Sequence, residues 1–217
     1  MSENSGTVRI LVIFIVVVIA AVWYWRSRSA SPSNLSTAGS WKTFAAQVQG
    51  QYSENPLQFH KQVDMQVGQW RLVLEQSSTV DYSPADSTHT TMWVAFTPRS
   101  SFELSLQARK GKPVIQLPQS AGDIVTTGNT ALDMQYEIRS TQPDQARSLL
   151  SERAISDALL AQPTGTLQVA PKVNALNQPD GSGQWQISYS SEESISDVQR
   201  LLTIRQLLLL LLAQLAK

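Results

Sequence analysis

The 217-residue chain has no cysteine and carries little charge. Without thiols it can form no disulfide, no iron–sulfur cluster and no thiolate zinc site, although this does not fix its compartment. Charged residues make up 16% of the chain, and the 17 basic and 17 acidic residues cancel. Outside the first apolar segment and its flanks, 14 basic and 16 acidic residues remain. The domain therefore has no broad basic field to attract nucleic acid or anionic lipid.

Signatures of catalysis and metal binding are also scarce. The only histidines, His60 and His89, lie among polar residues without metal-ligand spacing, and we interpret both as surface residues. The stretch "AGDIVTTGN" contains Gly122 and Gly128 but not the spacing of a phosphate-binding loop, and Asp123 is interpreted as a turn residue.

Acidic residues cluster only before the last helical segment. Glu192, Glu193 and Asp197 offer the paired carboxylates that acid–base chemistry uses, but carboxylates in this position ordinarily stabilise the positive end of a helix. No GxSxG motif is present. The sequence predicts no catalytic residue, cofactor-binding residue or metal ligand, and we expect the chain not to be an enzyme.

One long apolar run stands near the start of the chain. No charged residue interrupts Ile10 to Trp25, and sixteen helical residues cover about 24 Å of a hydrocarbon core of about 30 Å. Val8 and the stem of Arg9 extend this reach. The pattern predicts a tail over residues 1–7 and a transmembrane helix over 8–25. The residues predicted to anchor it are Ile10, Phe14, Val18, Trp23, Tyr24 and Trp25.

Two other interpretations of this run fit less well. A cleaved signal peptide needs small residues after the apolar run, whereas this one ends in three aromatic residues and Arg26. A soluble core helix would have a polar face, and this segment has none. Arg26 and Arg28 behind the span favour a cytoplasmic domain by the positive-inside rule, with a periplasmic domain as the alternative.

The rest of the chain divides into a polar linker and one domain. Residues 26–40, "RSRSASPSNLSTAGS", predict a flexible linker, and residues 41–217 predict a soluble domain. Ser40 is the expected N-cap of a helix that Gly50 ends. Alternating stretches then predict four strands between residues 61 and 108, a short strand at 112–117 and another over 132–141.

The pattern then becomes helical and closes with a hairpin and a long helix. Two helical segments, the second capped by Ser151, precede strands in "TGTLQVAPKV" and "GQWQISYS". The final helix is expected to begin at Ser194 or Ser196. This order predicts an α+β fold: an antiparallel sheet packed by helices on one face, ending in a long C-terminal Leu-rich helix.

The final helix carries more leucine than one small core needs. Its unbroken apolar run, residues 207–213, is too short to span a bilayer, which favours a core helix lying across the sheet. The surplus leucines could face a protein partner or the membrane surface. An exposed tryptophan beside the linker would add a docking anchor. The residues predicted to bind a partner are Trp41, Leu208, Leu211, Leu212 and Leu215.

The stretches "VGQWRLVLEQSS" and "TGNTALDMQYEIRSTQPDQARSLLSERAISDALL" also carry a family resemblance. They resemble the glycine-turn hairpin and the strand, turn and Leu-rich helix of a set of uncharacterised bacterial single-span membrane proteins. The likeness covers most of residues 41–217, although "TQPDQA" replaces the usual acidic-proline turn. It implies a membrane tether, an α+β domain and a place in the bacterial inner membrane. It implies no activity or site.

Together these features indicate a non-catalytic accessory subunit that stabilises a larger membrane complex, with respiratory and photosynthetic assemblies as candidates. The expected partners are the lipid bilayer and other membrane-protein subunits, with no cofactor, nucleic acid or small-molecule substrate. The alternative is a free-standing, membrane-tethered binding protein or assembly factor.

The span can be tested by cell fractionation. We expect the full chain to stay in the membrane fraction through a high-pH wash, and a variant lacking residues 1–30 to be soluble, because the apolar run supplies the attachment. Recovery of a freely dissolved mature chain that lacks its first thirty residues would contradict the prediction.

Overall fold

The computed structural model describes residues 32–55, 60–79, 87–109, 122–162, 164–173, 178 and 180–217. The chain divides into two compact units, Met1–Gly39 and Ser40–Lys217. The second unit contains the sheet and its core. The predicted transmembrane helix at 8–25 with its anchor residues and the predicted strand at 112–117 lie outside the described residues.

Five helices and nine strands make up the described chain. The helices are α1 (Pro32–Gln47), α2 (Thr130–Gln135), α3 (Pro143–Ser151), α4 (Arg153–Leu160) and α5 (Val198–Leu215). The strands are β1 (Gln51–Asn55), β2 (His60–Val67), β3 (Trp70–Thr79), β4 (Ser87–Phe96), β5 (Leu104–Ala108), β6 (Asp123–Ile124), β7 (Tyr136–Ser140), β8 (Thr166–Pro171) and β9 (Trp185–Ser191).

All nine strands join one sheet in the order β1-β2-β3-β4-β9-β8-β5-β7-β6. Every pairing in it is antiparallel. The hairpins β2–β3 and β8–β9 lie where the alternating stretches predicted them. The α+β class, the antiparallel sheet and the apolar C-terminal helix are therefore confirmed.

Alternation along the strands gives the sheet two different faces. On the first face, large apolar side chains such as Leu72, Val94 and Ile187 stand side by side on neighbouring strands. They form one buried cluster with core residues from all five helices. This first face and the helices together make the hydrophobic core.

Helix α5 contributes more to this core than any other helix. Seven of its residues are buried: Leu201, Ile204, Leu207, Leu208, Leu211, Leu212 and Leu215. The helix contacts β4, β9 and α4. Among the described residues, α5 is also the one helix with the length and composition of a membrane span. Because its leucines pack against the sheet, α5 is a core helix, as the sequence predicted.

The structure corrects the partner-binding prediction for this helix. Leu208, Leu211, Leu212 and Leu215 are at most 6% exposed. They face the sheet and offer no surface to a partner, because a helix lying across a sheet turns its most continuous apolar stripe inward. The half-buried leucines of the helix are Leu202, Leu209 and Leu210, and these also pack against the core.

Several element boundaries differ from the sequence prediction. Helix α1 begins at Pro32, within the predicted linker, so Ser40 is not its N-cap. The predicted strand over 132–141 begins only at Tyr136. Asn129 caps helix α2 instead, because its side-chain oxygen accepts hydrogen bonds from two backbone N–H groups. Helix α4 is preceded by Glu152 and not capped by Ser151.

The sequence prediction was also wrong about the edges of the sheet and the start of the last helix. Strands β1 and β6 form the two edges and were not predicted; Asp123 lies in β6 and not in a turn. Helix α5 begins at Val198 after Asp197, whose carboxylate accepts a hydrogen bond of 2.8 Å from the Gln199 backbone. This bond bears out the helix-capping interpretation for Asp197.

The inward position of the α5 leucines can be tested by mutation. Leu211→Ala removes a side chain with no exposure and should lower the free energy of unfolding by about 2–5 kcal/mol, because it leaves a cavity. Leu209→Ala is the matched control in the half-buried position and should cost less. Urea unfolding of the detergent-solubilised chain gives both values, and equal costs would contradict the packing described here.

Candidate functional site

The second face of the sheet carries a row of paired residues that crosses eight strands. Each member is the direct neighbour of the next across the strand pairing. This central row runs Asp64, Val73, Trp93, Ser188, Gln168, Ser105, Arg139, Ile124. Five consecutive members between the two charged positions carry no charge. The row therefore has an uncharged centre with one charged residue on either side, and the apolar Ile124 lies beyond Arg139.

The two charged members of the central row are paired with opposite charges on the same face. Arg71 donates from Nε to Asp64 at 2.6 Å, and Arg139 donates from Nε to Glu137 at 2.8 Å. All four groups lie on the second face, because they stand at even spacing from row members. Because each of these ion pairs has no net charge, the centre of the face is exposed to little electrostatic field from its surroundings.

Trp93 is the large aromatic residue of the central row. Its side chain is half-buried, beside Val73 on β3 and Ser188 on β9. Val73 is 1% exposed but is not part of the core cluster on the first face. The Ser105 hydroxyl, further along the row, is buried without a hydrogen-bond partner. The second face is thus separate from the core, and along its central row half-buried residues such as Trp93 alternate with buried ones such as Val73, Ser188 and Ser105.

Trp41 does not have the position predicted for it. The indole is fully buried, and its Nε1 donates a hydrogen bond of 2.9 Å to the Ile195 carbonyl oxygen. The prediction of an exposed docking anchor is therefore wrong. The apolar face of α1 continues through Phe44 and Ala45, and this stripe carries the indole into the core.

The segment that Trp41 contacts is the β9–α5 connection, residues 192–197. Thr90 holds it from the sheet, donating to the Glu193 carbonyl at 2.8 Å and accepting from the Ile195 N–H at 3.1 Å. Thr90 belongs to a buried polar row on the first face. This row runs Lys61, Gln76, Thr90, Ser191 across four strands. Burial lowers the pKa of Lys61, while the nearby Glu54 carboxylate opposes the shift.

Arg200 on α5 ties the same end of the sheet to the loop before β8. Its guanidinium donates to Glu193, to the Gln162 side-chain oxygen at 3.1 Å and to Thr164 Oγ1 at 3.2 Å. Thr164 in turn donates to Glu193 at 2.9 Å. The next residue, Gly165, has φ +120°, and an added Cβ would lie 2.5 Å from the Tyr189 hydroxyl oxygen. The loop fits only with glycine at that position.

The pKa values in this network reflect burial and pairing. Partial burial acts to raise the pKa of Glu193, but the hydrogen bonds and charge of Arg200 and the Thr164 hydroxyl outweigh it, so the pKa is lowered. Burial raises the pKa of Tyr189, and also that of Tyr136, whose hydroxyl donates to the Gln162 carbonyl at 2.7 Å. Glu193 thus stays ionised and the tyrosines stay neutral, which suits a fixed structural network.

Other predicted residues fall outside this network. His60 and His89 are both half-buried on the second face, and no three His, Cys, Asp or Glu side chains in the described ranges stand ready for a metal ion. Gly122 and Gly128 have positive φ and lie just before and shortly after β6. The central row could not be foreseen, because it depends on the order of strands that are distant in sequence. Only the alternation of Trp93 with Met92 and Val94 hinted at it.

These features define a class by fold: an α+β domain whose nine-stranded antiparallel sheet is packed by helices on one face. No protein-family model and no curated protein matches the sequence. Among solved structures, the mycobacterial trehalose monomycolate transport factor A is similar at 14% identity and a TM-score of 0.47. The similarity covers 81% of this chain and 94% of that chain, and it is too distant to carry a functional argument.

The Arg200–Glu193 pair has a testable pH dependence. Because the folded-state pKa of Glu193 is depressed, the pair stabilises the fold above the ordinary value of 4.5. This stabilisation is lost as the pH falls through the lower folded-state value. Glu193 is 50% exposed, so its contribution should be only about 0.2–1 kcal/mol. The measurement is the free energy of unfolding of the wild type minus that of Glu193→Gln, from about pH 7 down to about pH 3.

Glu192→Gln is the matched control, since the described residues offer this neighbouring carboxylate no ion pair. The Glu192→Gln difference, measured over the same range, is subtracted as the background of removing a neighbouring carboxylate. A Glu193→Gln difference that does not shrink in acid would contradict the assignment.

Proposed function

We propose that the chain is a membrane-anchored, non-catalytic accessory subunit that stabilises a larger membrane-protein complex. The second face of its sheet is the surface that contacts the other subunits. Respiratory and photosynthetic assemblies are the candidate complexes. The span over residues 8–25 holds the domain at the bacterial inner membrane, with the domain on the cytoplasmic side.

The observation that carries this proposal is the arrangement of the central row. Protein interfaces place an aromatic anchor in an uncharged centre and charged groups at a solvated rim. The central row has Trp93 and small polar residues between Asp64 and Arg139, each of which is already paired. A partner can cover the centre without stripping water from an unpaired charge.

The fate of the polar groups also supports a non-catalytic role. Arg200 and Glu193 are fixed to each other, Asp197 caps α5, and Thr90 and Trp41 hold the connection between them. Each of these polar groups is already hydrogen-bonded within the fold, and a reaction that used it would have to break those hydrogen bonds. Their arrangement fits a rigid scaffold that presents one face.

The proposal is tested by native sizing after gentle detergent extraction of membranes. The wild type should migrate with one large complex at a fixed stoichiometry. Trp93→Ala should shift most of the chain to the free position, because it removes the largest anchor of the second face.

Trp70→Ala is the matched control. Trp70 is another half-buried strand tryptophan, but it packs against the core on the first face. This variant should be less stable in urea and yet remain in the complex. A wild-type chain that migrates as a free monomer would overturn the subunit proposal in favour of a free-standing binding protein or assembly factor. Co-migration of Trp93→Ala with the complex would show that the second face is not the contact.

A further inference from the structure

The charges of the second face are arranged symmetrically about the middle strand of the sheet. Strand β9 is the fifth of the nine strands, and it contributes Ser188 to the central row. Asp64 lies three strands away from Ser188 on one side, and Arg139 lies three strands away on the other. A row with opposite charges at equal distances from its middle is complementary to a reversed copy of itself. We propose that a second copy of this chain docks on the second face, an inference that rests on the contact role proposed for that face.

A second charged pair follows the same symmetry. Arg71 on β3 and Glu103, just before β5, stand in the next row of the face, whose member on β9 is Gln186. The Glu103 carbonyl accepts a hydrogen bond of 3.2 Å from the Thr141 N–H, which continues the β5–β7 pairing by one residue. Each of the two charged residues is two strands from β9. This row is therefore also complementary to its own reverse.

Stacking two copies about a two-fold axis along β9 lays each row on its reverse. Asp64 then faces Arg139 of the second copy, and Arg71 faces Glu103 of the second copy. Within each copy, Arg71 already donates to Asp64 and Arg139 to Glu137. The contacts would thus join five groups of alternating sign across the two copies: Glu137 and Arg139 of one copy, Asp64 and Arg71 of the other, and Glu103 of the first.

The other two-fold axis in the plane of the face gives a worse contact. An axis along the central row would lay every strand on its own counterpart. Asp64 would then face Asp64, and Arg139 would face Arg139, which costs free energy through like-charge repulsion. The charge pattern therefore selects the axis along β9.

The packing of two sheets is compatible with these contacts. Stacked sheets lie about 10 Å apart with their strands within about 30° of each other. Three strand spacings from the axis, a rotation of this size displaces facing residues by about 7 Å. Each facing pair contains one arginine, and the Arg71 and Arg139 side chains are 63% and 38% exposed. These long, solvated side chains can move to reach the facing carboxylates.

The size of the face indicates a reversible dimer. Its three middle rows present about twenty side chains, as one side of a standard interface does. The aromatic anchor is Trp93, which faces the amide of Gln168 in the second copy, and most of the surrounding groups are polar. We therefore expect a dissociation constant in the micromolar range. In dilute solution the copies separate, and the face is accessible to reagents.

The test measures the protein mass per particle of the full chain in detergent micelles by size exclusion with light scattering. The wild type should contain two chains at about 100 µM and one chain after dilution well below the dissociation constant. Asp64→Arg and Arg139→Asp should each weaken the dimer by at least about tenfold, because each places like charges opposite each other twice. Arg153→Asp reverses a 94% exposed charge on α4 and is the matched control, which should dimerise like the wild type.

Mixing the two weakened variants is the decisive step. Asp64→Arg and Arg139→Asp together should form a dimer with one chain of each, because the reversed charges then face each other. The double variant Asp64→Arg/Arg139→Asp should dimerise by itself for the same reason. A wild type that is monomeric at about 100 µM, a dimer that survives both single reversals, or a failure of both the mixture and the double variant to dimerise would each overturn the inference.

Native sizing of membrane extracts separates this inference from the proposed function. A single copy in a large complex would overturn the self-docking and leave the subunit proposal standing. A free dimer without further subunits would support the self-docking and overturn the subunit proposal.

Discussion

The fold depends on the burial of one face of the sheet by apolar helices. The inward leucines of α5 and the indole of Trp41 pack against strand residues such as Leu72 and Ile187, and all belong to one cluster. Because side chains alternate along each strand, covering the first face fixes which residues form the second. The central row around Trp93 is thus a direct consequence of where the core lies.

The β9–α5 connection holds that arrangement at one end of the sheet. It is where Thr90 from the sheet, Trp41 from α1 and Arg200 from α5 all bind. Their contacts fall on Glu193 and Ile195. Each contact uses a buried or half-buried polar group, and such groups are costly to leave unpaired. The segment therefore orients the long helix relative to the strands, which apolar contacts alone, being non-directional, would do poorly.

The sequence predicted those features that depend on local pattern. The β2–β3 hairpin, β4, β9 and the final helix follow from alternation and from helical periodicity, and their existence is confirmed. The predicted partner-binding roles of Trp41 and Leu208 were wrong. A sequence pattern shows that one side of a helix is apolar, but it does not show whether the protein's own core or a partner buries that side. The edge strands and the central row were missed, because they depend on pairing between distant segments. The predicted membrane span concerns residues that the structure does not describe.

The central claim, that helices cover one face of the sheet and leave the other as a half-buried surface, can be measured directly because the chain has no native cysteine. Single cysteines at consecutive positions of β4 report on alternate faces. In the folded chain, Thr91→Cys, Trp93→Cys and Ala95→Cys should react with a water-soluble maleimide, whereas Met92→Cys and Val94→Cys should react only after unfolding. Equal labelling at all five positions, or protection of the odd-numbered ones, would contradict the account.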